Sequence, residues 1–311
     1  MAWRDLPKLR RPQVPTPPPG AVAGLRVLAS GSRGNCSLLV VPDEGPGKPG
    51  RTILVDAGLS PARTRKLLAE SGVRLSDVDD IVVTHLDRDH FHTGWSGARD
   101  CRATLRLHRR HVGRAQRFNL LLSRNEPFDD GESIALGPRA TVISHLMAHD
   151  AEGVATFRWR FESSQGSGDL GFATDLGRIE HGFVEHLKGV DLLAIESNYC
   201  PRMQASSGRP AFLKHRIMGG AGHLSNEECA EAVRAIAPRR RVVLLHLSQE
   251  CNLPERAAEG HTSEPYELTV SSQDEPTDWV WAFAGAEPRR STSKGAWQAT
   301  LFDPTPEEAR P

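Results

Sequence analysis

The chain has 311 residues, enough for one large domain or two small ones. Lys plus Arg and Asp plus Glu each number 39, so the formal net charge is zero and any basic surface for nucleic acid has to be local. Hydrophobic content is 38%, sufficient for a core; no apolar run reaches the roughly 18 residues of a membrane span, and the start "MAWRDLPKLRRPQVPTPPPG" lacks the apolar stretch of a signal peptide.

Residues 1–23 are rich in Pro and Arg and lack periodicity, so a disordered or polyproline-like lead-in is expected. Residues 286–311 read as a second loose tail, and residues 24–285 carry one continuous globular pattern without an internal sequence repeat. Strands are predicted at 25–30 and 37–41 around the turn "GSRGN", and at 52–56. A helix follows, with Ser60 as N-cap and Pro61 in its first turn. Residues 79–85 ("DDIVVTH") read as a buried strand, and 103–108 as another before an Arg-rich helix. Further strands are predicted at 132–136, 140–149, 154–162 with period two, and 169–175. The second half alternates helix and strand: a helix in "IEHGFVEHLKG", strands at 191–198, 241–248 and 277–283, and a helix at 225–237 opened by a Ser225/Glu228 capping box. This order suggests an α/β fold in which two sheets face each other with helices outside. Cys36, Cys101, Cys200, Cys229 and Cys251 are odd in number and scattered, which suits reduced thiols in a cytoplasmic protein.

Asp56, His85, His149, Asp175 and His246 each end a predicted strand. Side chains at strand ends can converge at one rim while the strands bury their apolar residues. Imidazole and carboxylate groups gathered there suit a borderline divalent ion. The turn "THLDRDH" (84–90) adds Asp87, Asp89 and His90, enough to divide between two neighbouring metals.

"THLDRDH" resembles the HxHxDH signature of the metallo-β-lactamase superfamily, and the order Asp56, His149, Asp175, His246 is similar to that superfamily's. "GSRGNCSLLV", "FATDLG", "LLAIESN", "GRPAFLKHRIMGGAGHLSNEECAEAV" and "LLHLSQECNLPE" look like segments of the YycJ/VicX-like (WalJ) hydrolases, over roughly residues 24–255. The resemblance implies a four-layered αββα sandwich with two divalent metals. One would take His85, Asp87 and His149, the other Asp89, His90 and His246, with Asp175 between them. A hydroxide activated by two such ions is a strong nucleophile. Asp56 and Asn35 would support the ligands, and Asp89 could help to deprotonate the water. The departure is Asp87, where the usual pattern has His. Its hard oxygen weakens the preference for zinc and makes manganese or iron plausible; a weak or empty first position is the other reading.

His223 in "AGHLSN" precedes a helix start and is assigned phosphate contact or general-acid work by the same resemblance; a helix-cap role is the alternative. Lys214 and Arg216 lie just before it and can meet phosphates. Residues 99–117 carry seven arginines against one acid, a patch that could equally be a solvated helix face. In the tail, "QATLFD" (298–303) resembles the Q-x-x-L-F peptide that binds bacterial sliding clamps, with Gln298, Leu301 and Phe302 as its anchors. The leading expectation is a metal-dependent phosphodiesterase, a nuclease that the resemblance makes an exonuclease on single-stranded DNA. The rivals are a small-molecule hydrolase, such as a cyclic phosphodiesterase or a glyoxalase II-type thioesterase, and a binding scaffold that has lost catalysis through Asp87. Six retained ligands argue against the scaffold.

Overall fold

A computed structural model describes residues 13–285, apart from residues 46, 48, 49 and 150. The first half runs β1 (Ala21–Ala29), β2 (Cys36–Val41), β3 (Arg51–Val55), α1 (Pro61–Glu70), β4 (Asp80–Val82), β5 (Thr104–His108), α2 (Val112–Arg117) and β6 (Asn125–Phe128). The second half runs β7 (Ser133–Ala135), β8 (Ala140–Met147), β9 (Val154–Ser163), β10 (Gly166–Ala173), α3 (His181–Leu187), β11 (Leu192–Glu196), α4 (Pro201–Ser206), α5 (Ala211–Arg216), α6 (Asn226–Ile236), β12 (Arg241–Leu245), α7 (Pro254–Ala258) and β13 (Glu267–Val270). β14 (Val280–Phe283) closes the chain.

The strands form two seven-stranded sheets, ordered β14-β1-β2-β3-β4-β5-β6 and β13-β12-β11-β10-β9-β8-β7. In the first, β14 to β3 pair antiparallel and β3 to β6 parallel. The second repeats that order, with β7 to β10 antiparallel and β10 to β13 parallel. The repeat lies in topology rather than in sequence. It brings the carboxyl ends of two parallel sets to one rim, where open α/β sheets build their sites.

Apolar surface dictates the layers. β9 alternates as its sequence predicts: Phe157, Trp159 and Phe161 are fully buried between the sheets, while Arg158, Arg160 and Glu162 point away. Each such aromatic contributes about 2–3 kcal/mol of burial. The outer face of the first sheet packs Leu38, Leu54, Ile81 and Leu105 against Leu67 and Leu68 of α1. The outer face of the second packs Leu193, Ile195, Val242 and Leu244 against α3 and α6. These layers make the αββα sandwich.

Both predicted caps form. Ser60 Oγ accepts from Arg63 N at 3.3 Å with Pro61 opening α1, and Ser225 and Glu228 exchange reciprocal bonds at the start of α6. β1 begins at Ala21, inside the segment expected to be a lead-in, because Ala21, Ala23 and Gly24 pair with β14 and Val22 is fully buried. The Arg-rich stretch is divided: Arg106 lies in β5 and binds Asp80 at 2.7 Å, and Arg109 binds Asp129 at 2.8 Å.

Candidate metal centre

The site starts where β4 stops. Thr84 donates its N–H and its hydroxyl to Asp56 Oδ1, at 2.8 and 2.9 Å, and this draws the chain out of the strand. The turn that follows closes with His90 N and Phe91 N both on the Asp87 carbonyl at 2.8 Å. Buried Trp95 anchors its far side through Nε1 to the oxygens of Ala57 and Leu59. The strand-end glycine Gly58 lets the turn sit close: a Cβ there would lie 1.7 Å from the Asp89 carbonyl oxygen. Asn35, from the β1–β2 turn, donates its N–H to that same oxygen at 2.7 Å. Its side-chain amide lies 3.0 Å from His90 Nε2.

Asp56, Asp175 and His246 all adopt left-handed backbone conformations, with φ of 61°, 54° and 57°. Such geometry costs non-glycine residues free energy and clusters where function needs a particular side-chain direction. Here it turns three side chains inward from the ends of β3, β10 and β12.

The histidines share one arrangement. Nδ1 of His90 is held by Asp56 at 2.7 Å, and Nδ1 of His85 lies 3.0 Å from Thr84 Oγ1. Nδ1 of His246 has Asn198 at 3.1 Å and Glu196 Oε1 at 3.3 Å. Fixing one ring nitrogen fixes the direction of the other. His90 Nε2 then lies 2.8 Å from Asp175 Oδ2, and His246 Nε2 lies 3.5 Å from Asp89 Oδ2. Three groups result, each with ligand atoms within 4.8 Å of one another: His85, His149 and Asp175; Asp89, His90 and His246; and Asp175, Glu196, His223 and His246.

These residues fit divalent metal. Nε2 of His246 and Nδ1 of His149 are buried without a hydrogen-bond partner, as ligand atoms awaiting an ion would be. The donor set is imidazole and carboxylate, which suits zinc and its neighbours. Charge agrees. Burial pushes the His85 imidazole well below its usual pKa, so it is a neutral ligand. Burial opposes charge on His246 too, but Asp175, Asp89 and Glu196 outweigh it and raise its pKa to about 10. His90 is likewise raised, against burial, by Asp175 and Asp56. Burial would raise the Asp175 pKa, yet His246 and His90 hold it well below the usual range. Protonated imidazoles thus supply the positive charge that the buried carboxylates demand, and a bound cation would take their place by releasing those protons.

Of the residues singled out in sequence, His85, Asp89, His90, His149, Asp175 and His246 converge, with Asp56 and Asn35 bonded to His90. Asp87 stands apart from all three groups. Its Oδ1 accepts from Arg114 of α2 at 2.8 Å, and its Oδ2 lies 3.9 Å from His85 Nε2. Lys214 and Arg216 occupy the last turn of α5. Gln298, Leu301 and Phe302 lie outside the described residues. Sequence reasoning missed Glu196, which is fully buried and accepts from His223 Nδ1 at 2.7 Å and Leu176 N at 2.7 Å. It also missed Asn198, whose amide bonds the His246 carbonyl at 2.7 Å. The signal for Glu196 was a lone carboxylate ending the apolar run "LLAIE".

A family profile described as a beta-lactamase superfamily domain matches residues 51–247. The exodeoxyribonuclease WalJ of Streptococcus pneumoniae serotype 2 is 32% identical over 237 residues, covering 74% of this chain and 84% of that protein. The exodeoxyribonuclease YycJ of Bacillus anthracis is 29% identical over 238 residues, covering 74% of this chain and 84% of that protein. Among solved structures, the metallo-beta-lactamase fold protein YhfI from Bacillus subtilis matches with a TM-score of 0.59 at 15% identity, covering 82% of this chain and 99% of that one. That last likeness speaks for the fold alone. The two-sheet sandwich, the histidine–carboxylate rim and these relatives agree, and the chain belongs to the beta-lactamase superfamily, in the branch that holds WalJ and YycJ.

Proposed function

We propose that this protein is a metal-dependent phosphodiesterase, an exonuclease acting on single-stranded DNA. The observation that carries the reading is the convergence of His85, Asp89, His90, His149, Asp175 and His246 at one rim, with the Glu196–His223 pair beside it. The names of the WalJ and YycJ relatives support DNA as the polymer. Two divalent ions bound at the rim, zinc or alternatively manganese or iron, would supply a water of lowered pKa and Lewis-acid stabilisation of the attacked phosphoryl group.

The chain's own residues would do the rest. Asp56, Thr84 and Glu196 fix the ligand imidazoles. Asp89, partly exposed and facing both His90 and His246, would take a proton from the attacking water. His223 would donate its Nδ1–H as a hydrogen bond to Glu196 and present Nε2–H to the leaving oxygen. Its side chain is 22% exposed, whereas those of His85, His90 and His246 are at most 2% exposed, so a substrate can reach the His223 ring. Lys214 and Arg216 would neutralise neighbouring phosphates. Gln298, Leu301 and Phe302 are proposed, on their residue pattern alone, to tether the enzyme to a sliding clamp. Among the described residues no helix is long and apolar enough to cross a membrane. The five free cysteines suit the cytoplasm.

The test couples metal content of the purified protein to degradation of end-labelled single-stranded DNA, with and without Mn²⁺, for the wild type and His90→Ala. Two metals per chain and cleavage lost in His90→Ala are the expected results. Bound metal without DNA cleavage would turn the assignment to a small phosphodiester or thioester. Absence of both metal and activity after supplementation would overturn it.

A further inference from the structure

Between Cys101 and Asn125 the chain carries seven arginines and no acidic residue. Three of them are neutralised within the fold: Arg106 by Asp80 at 2.7 Å, Arg109 by Asp129 at 2.8 Å and Arg114 by Asp87 at 2.8 Å. Arg102, Arg110, Arg117 and Arg124 are exposed and make no ion pair among the described residues. These four divide between opposite ends of the sheet. Arg102 and Arg124 precede β5 and β6, at the amino ends of parallel strands and away from the rim. Arg110 and Arg117 follow β5, which runs parallel to β4, so they lie at the end where His85 follows β4.

A 3₁₀ turn over Arg109–His111 runs directly into α2. Residues three and four apart share a helix face, so Arg110, Arg114 and Arg117 form one stripe, while His111 and Ala115 are buried to one side of it. Two contacts fix this stripe beside the metal centre. Arg114 Nη2 donates to Asp87 Oδ1 at 2.8 Å, inside the turn that carries His85, Asp89 and His90. His111 Nε2 donates to the Gly153 oxygen at 2.9 Å, in the loop that carries His149. Arg114 thereby cancels the Asp87 carboxylate, which would otherwise repel a phosphate arriving at the turn. Arg110 also lines an open cavity of about 640 Å³ with Ala148 and Gly153, which flank His149 in the chain. The carboxylates of that cavity are engaged already: Asp129 by Arg109 at 2.8 Å, Asp130 by Leu146 N at 2.7 Å and Glu180 by Arg178 at 3.3 Å.

We infer that this stripe is a track for the DNA backbone, with Arg110 and Arg117 each holding a phosphate and Arg114 fixed between them by Asp87. This rests on the phosphodiesterase reading and deepens it by naming the face along which the polymer lies. Seven residues of helix span about 10 Å. That equals about three base steps at about 3.4 Å each, so the two arginines meet separate phosphates. Contacts to phosphate fix the register of a strand without reading its bases. Every strand, paired or unpaired, offers its phosphates, so the track sets position rather than choosing between the two forms. Arg102 and Arg124, equally exposed but at the far end of the sheet, serve as comparison residues.

The test uses the full chain loaded with Mn²⁺ and a fluorescein-labelled single-stranded phosphorothioate oligonucleotide, which keeps the charge of each phosphate and slows cleavage. Fluorescence anisotropy gives the binding constant across a salt series. The slope of log K against log salt counts neutralised phosphates, at about 0.7 per contact on a single strand. Arg110→Gln and Arg117→Gln should each lower its magnitude by about 0.7, and the double variant by about 1.4. Affinity at about 0.1 M salt should fall about fivefold per contact. Arg110→Lys and Arg117→Lys keep the charge and should keep the slope. Arg102→Gln and Arg124→Gln remove the same charge elsewhere and should leave the slope at the wild-type value. In turnover, the ratio of kcat/KM on the unmodified oligonucleotide to that on bis(p-nitrophenyl) phosphate should fall about 25-fold in the Arg110/Arg117 double variant, mainly through KM. An unchanged slope in the double variant, or an equal loss in the Arg102 and Arg124 variants, overturns the track. Should a glutamine variant unfold, methionine keeps the long stem without the charge, takes its place, and is judged by the same criterion. A wild type that binds DNA through Arg110 and Arg117 but hydrolyses only the small diester keeps the track and removes the nuclease reading. Cleavage of DNA with a slope independent of both arginines does the reverse.

Discussion

Glu196→Gln tests the site most sharply, because that carboxylate serves four groups at once. Its Oε1 lies 2.7 Å from His223 Nδ1 and 3.3 Å from His246 Nδ1; its Oε2 accepts from Leu176 N at 2.7 Å and Leu224 N at 3.3 Å. Glutamine has the same shape but only one accepting atom, so its NH₂ must face a buried donor. One unsatisfied donor costs about 1–3 kcal/mol of stability. Burial raises the Glu196 pKa, but His223 and His246 outweigh it and hold the carboxyl below its ordinary value. A depressed carboxylate contributes stability above the unfolded pKa of about 4.3 and loses it as pH falls through the lower folded value. The gap between wild type and variant should therefore be full at neutral pH and close in acid, as urea unfolding across pH would show. For activity, loss of the partner that orients His223 should cost DNA cleavage about 10²–10⁴-fold. Hydrolysis of bis(p-nitrophenyl) phosphate, whose leaving phenolate needs no proton, should fall far less at saturating metal. An equal fall on both substrates would refute proton delivery through His223 and leave Glu196 a structural role alone.

Three further outcomes follow from particular contacts. Gly58→Ala should displace the metal turn, since its Cβ would meet the Asp89 oxygen at 1.7 Å; a loss of bound metal by at least about tenfold is expected from supporting-contact losses of this kind, read by metal analysis after dialysis. His186 is pushed down to about 4 by burial, His145 and Arg158. Stability is then full above the unfolded value of about 6.5 and falls as pH drops toward 4, by about 1–2 kcal/mol for a partly exposed ring; His186→Phe should flatten that limb in thermal melts at graded pH. The double variant Asp87→His with Arg114→Gln places imidazole where the ion pair stands, and should move competitive binding toward zinc over manganese by about tenfold. An unchanged metal ratio would put position 87 away from the ions.

The parts of the site legible in the sequence are those where a polar residue interrupts a pattern. Asp56, Asp175 and His246 follow apolar strands directly, and His85, Asp89 and His90 crowd one turn. Glu196 escaped because it continues β11 by register, opposite Leu245 of β12. Only its partners, His223 and His246, reveal why a charge can be fully buried there. Arg106 escaped for the same reason. Its charge reads as surface until the parallel pairing of β4 and β5 sets it beside Asp80. β6 and β13 are short edge strands, "NEPF" and "ELTV", whose place is set by parallel pairing with the preceding strand across an intervening helix rather than by local alternation.

The shared pairing order of the two sheets explains why the ligands come from both. β3 and β10 hold equivalent places, each fourth from the antiparallel edge of its sheet, where the parallel set begins, and each is followed by an aspartate in the left-handed region, Asp56 and Asp175. Their tasks have diverged. Asp56 grips Thr84 and His90 Nδ1 from behind, while Asp175 faces His90 Nε2 from the open side. One histidine is thus clasped by the corresponding residue of each half. His85, Asp89 and His90 come from the first half, and His149, Asp175 and His246 from the second. None of the three ligand groups is complete without the second half, and two of them also need the first. Docking the two sheets through Phe157, Trp159 and Phe161 is therefore what assembles the centre. The cost of three left-handed residues, about 1–3 kcal/mol each, is carried by that core.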